Sequence, residues 1–462
     1  MSGKGFGLFF EMGCGKSLTA LAIMGALWEQ GLIRRVLVIA PGSVVSVWED
    51  ELKKFADFPY AFSALLGTKA QRLKKLAALE GLGAPGGHAL RSADGFGTEL
   101  LVAGINYESV WRDEIFEALL RFGPELVICD ESQRIKNHKA QQTVAAVELA
   151  KRAKYRLALS GTPITHDAQD LFSQYSFIDP AIFGENFYAY RNRYCLLGGF
   201  GGKQVIGTKN EDELSNRMYS IAYRVTKKEA LDLPPETYVV RTVELSPKER
   251  KLYDDMRRNA YAELSEQAEV SATTVLTKRL RLQQLVGGFI RADGDTHYTQ
   301  VGSSKIDAVA DILDDYVILE GRKLVIFAVF LPEIDAICRL LTSRGIKHVC
   351  MTGAVPMENR GELKDRFQND PETMVFVAQT HSAGLGITLH SASAALFYSV
   401  NDNWEDFQQA TARIHRKGQH YPCTYILLQA AKSIDQKIAA DLDSKTSVAD
   451  RICNGSWKEY FA

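Results

Sequence analysis

The stretch FEMGCGKS, Phe10 to Ser17, runs straight into the good helix former LTALAIMGALWE. Glycines at Gly13 and Gly15 allow the backbone, with Cys14 between them, to wrap an anion with its amides. Lys16 is placed to reach the β- and γ-phosphates, Ser17 to ligate Mg²⁺, and a helix N-terminus behind them adds partial positive charge. This is a nucleotide site in outline. The strict consensus asks for a glycine where Phe10 stands, and an ordinary turn is the alternative reading.

A phosphate site of this type needs a carboxylate pair at the end of another strand, and VICDES, Val127 to Ser132, supplies one. Asp130 is suited to hold the Mg²⁺ shell and Glu131 to orient and deprotonate an attacking water. Standing alone, such a pair reads as a helix N-terminal cap. The phosphate loop upstream favours the catalytic reading.

Elements must hold these groups, and short apolar runs mark them. RVLVIA (Arg35 to Ala40), ELLVAGI (Glu99 to Ile105), ELVICD (Glu125 to Asp130) and RLALSG (Arg156 to Gly161) alternate with helix-length segments, and a short strand, Phe6 to Phe10, precedes the loop. Near-continuous apolar strands spaced this way predict a parallel sheet covered on both faces. From about His166 to Val301 the chain reads helical and polar, with GGFGG at Gly198 to Gly202 and a Leu-Pro-Pro break at Leu233 to Pro235. The strand rhythm resumes with KLVIFA (Lys323 to Ala328), HVCMTG (His348 to Gly353), TMVFVA (Thr373 to Ala378), ALFYS (Ala395 to Ser399) and TYILLQ (Thr424 to Gln429). A Gly/Pro-rich segment from Gly81 to Gly97 reads as a surface loop. The expectation is an α/β chain of two lobes with parallel sheets joined through a helical middle: lobe one over 1–230, a linker and helical insertion over 231–300, lobe two over 301–462.

Composition narrows the classes. Of 462 residues, 46% are hydrophobic and 24% charged, so disorder is not expected. The longest apolar stretch, Leu324 to Pro332, is far short of a membrane span. Seven scattered cysteines, none in a CxxC spacing, suit a reducing cytoplasm. Lys and Arg number 55 against 56 Asp and Glu. A nucleic-acid ligand therefore needs positive charge concentrated locally. Five acid-free windows, 132–147, 149–166, 186–210, 270–292 and 407–434, offer it; three of them hold Lys151, Arg152, Lys154 and Arg156; Arg191, Arg193, Lys203 and Lys209; and Lys278, Arg279, Arg281 and Arg291.

Taken in order, the motifs resemble a known family. FEMGCGKS, VIAPGSVVSVWEDELKKF (Val38 to Phe55), DESQRIKN (Asp130 to Asn137), LSGTPI (Leu159 to Ile164), LVIFAVF, THSAGLGITL (Thr380 to Leu389) and QQATARIHRKGQ (Gln408 to Gln419) look like the successive motifs of a superfamily-two helicase-like ATPase of the Swi/Snf branch. The resemblance covers Phe10 to about Ile438. It implies two RecA-like lobes, ATP with Mg²⁺ as the nucleotide, double-stranded DNA as partner, and a compact prokaryotic or phage-type cytoplasmic member acting as a monomer away from any membrane. By position it assigns Gly13, Cys14, Gly15, Lys16, Ser17, Asp130, Glu131, Gln133 and Gly386 to the nucleotide. Gln133, where the family usually has His, would link the γ-phosphate to Ser160, Gly161 and Thr162. Arg413 and Arg416 resemble arginine fingers brought from the second lobe, against the alternative of a solvated helix face.

For DNA the resemblance and the loop positions together suggest Gly42, Ser43, Asn106 and Tyr107 in lobe one, and Thr352, Gly353, Thr380 and Ser382 in lobe two. Ser43 also reads as a helix cap, Tyr107 as core, Trp48 and Trp404 as packing residues, and His415 as helix packing. The chain begins too close to the phosphate loop to carry the family's adenine-reading glutamine motif. Either the chain is truncated, or base recognition is weak or supplied otherwise. Ala383, Thr388 and Ala412 depart from common family residues. Three functions stay open: a translocase on duplex DNA, a strand-separating helicase, and a nucleotide-switched scaffold.

Overall fold

A computed structural model describes residues 4–82, 99–165, 167–198, 204–266, 272–291, 297–380, 387–401 and 403–440. The chain divides into two units, with the break between Leu231 and Asp232. The first is built on β1 (Gly5–Phe10), β2 (Arg35–Ala40), β3 (Tyr60–Ala64), β4 (Leu100–Asn106), β5 (Leu126–Asp130) and β6 (Tyr155–Leu159). A separate antiparallel hairpin of β7 (Cys195–Gly198) and β8 (Gln204–Thr208) follows, and β9 (Ala222–Val225) then returns to the sheet. The seven-stranded order is β3-β4-β2-β5-β6-β1-β9, parallel throughout.

Strand alternation explains the layering. Val36, Val38 and Ala40 of β2 face one core with Leu8 and Phe10 of β1 and Leu21 and Met24 of helix α1 (Lys16–Glu29), while Leu37, Ile39 and Phe9 face the opposite core. Both faces are thus buried, which is why these strands read as continuous apolar runs. Helix α2 (Gly42–Phe55) packs Val45, Trp48 and Leu52 onto the α1 face.

The second unit carries β10 (Glu236–Val243), a short hairpin of β11 (Phe289–Ile290) and β12 (Thr299–Gln300), then β13 (Leu324–Ala328), β14 (His348–Met351), β15 (Val375–Gln379), β16 (Ala394–Phe397) and β17 (Cys423–Ala430). Its six-stranded sheet runs β10-β17-β16-β13-β15-β14, again all parallel and covered on both faces. These are two RecA-like lobes.

The middle differs from the all-helical reading. β9 completes the first sheet, and β10 pairs with β17 through eight residues, so the segment after residue 231 is an integral strand of the second sheet. β10 was hidden because its residues up to Thr242 are exposed, which leaves no buried stripe to detect. Gly81 and Leu82 close the helix Lys69–Leu82, and the rest of the expected Gly/Pro loop lies outside the described residues. Among the described residues no helix is long and apolar enough to cross a membrane.

Candidate nucleotide site and arginine segment

β1 ends at Phe10 and the chain turns through Gly13 at φ 88° and Gly15 at φ 86°. A Cβ on Gly15 would meet nothing within 4 Å, so glycine is required there by torsion and not by space. Gly15 caps α1, and no side chain caps that helix, nor does an acid stand in its first turn. Its leading amides are consequently available to an anion. Lys16 folds its Nζ back to donate to Phe10 O at 3.0 Å, and Ser17 follows it on the first turn. Cys14 is half-buried, and burial pushes its thiol up, with Glu11 adding to the effect.

Two strands along the sheet, β5 delivers Asp130 at its last residue. Asp130 is only 6% exposed. Its Oδ2 accepts from Trp48 Nε1 at 2.9 Å and its Oδ1 from the Glu131 amide at 3.0 Å. Burial raises the carboxyl to about 6, with Glu131 adding and Lys16 and Trp48 opposing. Glu131 itself sits at φ 53°, ψ 55°, a left-handed conformation that costs a non-glycine residue and is characteristic of functional turns.

That turn starts a chain of side-chain hydrogen bonds. Gln133 Nε2 donates to Glu131 Oε2 at 2.8 Å, Ser160 Oγ donates to Gln133 Oε1 at 2.7 Å, and the Thr162 amide donates to Ser160 Oγ at 3.0 Å. A Cβ added to Gly161 would lie 3.6 Å from Lys16 Nζ, so this segment borders the lysine. Lys16, Asp130, Glu131, Gln133 and residues 160–162 therefore meet at the carboxyl ends of β1, β5 and β6, the edge of an α/β sheet where ligands bind. Behind them lies a buried polar layer without a local sequence signal: Ser132 Oγ donates to Gln174 Oε1 (2.8 Å), Gln174 Nε2 to Pro163 O (2.6 Å), and Thr165 Oγ1 to Asp170 Oδ2 (2.7 Å).

The DNA candidates separate into two groups. Gly42 and Asn106 are neighbours, since a Cβ on Gly42 would lie 3.8 Å from the Asn106 Cβ. Asn106 accepts from Arg72 Nη1 and donates to Glu108 Oε2, both at 2.7 Å. Ser43, in the first turn of α2, is half-buried and does not cap it; Pro41 holds that position. Thr352 and Gly353 follow β14, with Gly353 exposed.

Other candidates are corrected. Tyr107 is 1% exposed and its hydroxyl donates to Asp130 O at 2.8 Å, so it supports the acidic turn from within the core and has no surface for DNA. Thr380 is 2% exposed with its hydroxyl on Ala328 O. Trp48 does pack on the sheet, and it also holds Asp130. Ser382 and Gly386 lie outside the described residues. The basic windows are partly spent on local pairs: Arg152 and Lys151 on Glu148, Arg193 on Glu213, while Arg156 is half-buried.

In the second unit the helix Trp404–Thr411 leads into the arginines. Arg413 is 4% exposed with Nη1 3.5 Å from Ile387 O, and its carbonyl accepts from the Leu389 amide. It braces the segment internally; neither a solvated face nor a presented finger describes it. Arg416 is half-buried. Buried Gln419 donates to Ala392 O at 2.7 Å. His415 is tied to the start of the unit, with Nε2 2.8 Å from Pro234 O and Nδ1 2.7 Å from Glu236 Oε1. Trp404 packs against Phe407.

Comparison with known proteins agrees with this architecture. The SNF2-related domain matches residues 2–287 and the helicase conserved C-terminal domain residues 304–418. An uncharacterized ATP-dependent helicase of Mycoplasma genitalium is 27% identical over 453 residues, covering 95% of this chain and 40% of its own. A RAD54-like DNA repair and recombination protein of Drosophila pseudoobscura is 26% identical over 485 residues, covering 96% of this chain and 60% of its own. The chain thus spans about half the length of such curated relatives. Among solved structures, the Sulfolobus solfataricus SWI2/SNF2 ATPase core in complex with dsDNA aligns over 98% of this chain and 89% of that one, at 24% identity and a TM-score of 0.42.

Proposed function

The chain belongs to the SNF2-related domain family, and from that premise we propose that it is a DNA-stimulated ATPase that couples ATP hydrolysis to translocation on double-stranded DNA. The observation that carries the reading is the convergence of an uncapped helix N-terminus and Lys16 with a buried carboxylate and a strained glutamate. Relatives named as ATP-dependent helicases and as DNA repair and recombination proteins support it.

Each group then has a task. The loop amides from Gly13 to Ser17 and Lys16 bind the phosphates, and the helix N-terminus favours their charge. Ser17 and Asp130 offer the hydroxyl and carboxylate oxygens that a hard divalent cation prefers, so Mg²⁺ fits this donor set. When bound it neutralises charge on the β- and γ-phosphates. A carboxyl already raised to about 6 gains from any positive charge brought beside it. Glu131 orients the attacking water and takes its proton. Gln133 fixes the Glu131 carboxylate and relays its position to Ser160 and Thr162. Arg416 is assigned to the transition-state charge during turnover, with Arg413 and Gln419 shaping the segment that carries it. Gly42, Ser43 and Asn106 in the first unit and Thr352 and Gly353 in the second are assigned to duplex phosphates, giving affinity without much sequence preference.

ATP hydrolysis measured without nucleic acid and with duplex DNA, single-stranded DNA or RNA tests this. Stimulation by duplex alone, followed by displacement of a triplex-forming strand, is the expected result. A preference for RNA, or hydrolysis indifferent to every nucleic acid, would refute it.

A further inference from the structure

A triphosphate has a direction in this site. Its terminal end is set by Asp130 and Glu131 after β5 and by Ser160 to Thr162 after β6, and both strands lie on one side of β1. β9 lies on the other side. A nucleotide that follows the loop therefore carries its nucleoside toward β9 and the residues behind it.

That flank is stitched to the first residue of the phosphate loop. The Glu11 amide donates to Val225 O at 2.9 Å, Glu11 Oε2 accepts from the Lys227 amide at 3.0 Å, and Glu11 Oε1 lies 3.5 Å from Arg224 Nη2. The end of β9 is thus held at a fixed place relative to the loop. Beside these contacts stands Tyr223, a large aromatic that is 62% exposed. Its register with Leu8 puts it on the face of the sheet that Leu8 and Phe10 share with α1. It meets the Phe10 ring edge-on, with centroids 6.2 Å apart and planes at 81°. Phe10 is the residue from which the phosphate loop departs and whose carbonyl holds Lys16. An aromatic ring backed by another ring, largely open to solvent, and anchored next to a phosphate site has the makings of a stacking platform.

We propose that Tyr223 is the platform on which the nucleotide base stacks. The inference rests on the phosphate-loop reading above and adds the element that binds the nucleoside. Stacking engages the face of a base and not its edge, so purines are accepted with little discrimination.

The test uses the full chain and three probes in titration calorimetry: ADP, GDP and inorganic tripolyphosphate. Tyr223→Ala should weaken ADP and GDP by roughly tenfold each, as expected for losing one base–aromatic stack. Tripolyphosphate should bind as before, and Tyr223→Phe should restore both nucleotides. If Tyr223→Ala binds ADP like the parent, or loses all three probes alike, the platform is refuted. Lys16→Ala separates this from the underlying reading: if it leaves all three probes unaffected, the phosphate site itself is misassigned. A Lys16 effect without a Tyr223 effect removes only the platform.

Discussion

Glu333 lies in the core of the second unit, far along the chain from the nucleotide motifs, and its substitution by Gln should change how that unit responds to pH. Its carboxylate is 1% exposed, caps the helix Leu331–Ser343 by accepting from the Phe330 amide, and accepts from Ser399 Oγ at 2.5 Å. Its other oxygen, Oε1, has no hydrogen-bond partner among the described residues and abuts Gly287, where an added Cβ would come within 2.2 Å. Burial raises the group from 4.5 to about 7, with Lys305 and the Ser399 and Phe330 hydrogen bonds opposing the rise. The folded unit therefore keeps a proton that the unfolded chain releases. Stability is fully present below pH 4.5 and declines as pH climbs through 7, by about 3 kcal/mol in all. Gln keeps an acceptor for Phe330 and Ser399 and cannot ionise. Native-state hydrogen exchange of the β13 amides, corrected for intrinsic rates and followed from pH 5 to 8, isolates this unit. The parent should lose roughly 2–3 kcal/mol of protection relative to Glu333→Gln across that range. Parallel profiles for the two proteins would show that Glu333 does not set this pH response.

Three further outcomes concern the site. Trp48→Phe keeps a ring in the core but withdraws the donor from Asp130. A hydrogen bond to a charged group contributes about 1.5–3 kcal/mol, so kcat/KM for ATP should fall about ten- to a hundredfold with unchanged circular dichroism; a change under twofold would show that Trp48 only packs. Gln133→Ala frees both Glu131 and Ser160, and steady-state kinetics should show kcat lower by at least about tenfold with ADP affinity retained. Arg416→Ala should reduce duplex-stimulated kcat by on the order of a thousandfold while calorimetry shows ADP still binding, and normal turnover would remove Arg416 from the chemistry.

The motifs were legible because their information is local. FEMGCGKS carries its own torsional demand at Gly13 and Gly15, and the strands ending in Asp130 and Leu159 are buried on both faces and so read as apolar runs. What could not be read was contact between distant segments. Trp48 and Asp130 are 82 residues apart, and nothing in VVSVWEDEL says that the indole nitrogen meets a carboxylate. Tyr107 in GINYESV reads both as a DNA contact, by resemblance, and as core; only the fold, which turns it inward beneath Asp130, decides for the core. Arg413 and Arg416 share a spacing that suggests one role, yet the fold buries Arg413 and leaves Arg416 half-exposed. β9 and β10 escaped for opposite reasons. The first is four residues long, and the second is an edge strand whose outward residues include Tyr238, Val239 and Val240.

The pairing of β10 with β17 also has a mechanical meaning. The chain enters the second unit at Asp232 and within a few residues joins a parallel ladder from Glu236 to Val243. Tension drawn along that strand loads its eight residue pairs together, in shear, whereas tension applied across it would open them one at a time. His415 and the Cys423 amide, which grip Pro234 and Pro235, clamp the point where such a load arrives. Any load carried by the connector would meet an attachment that does not peel, fastened like a lap joint.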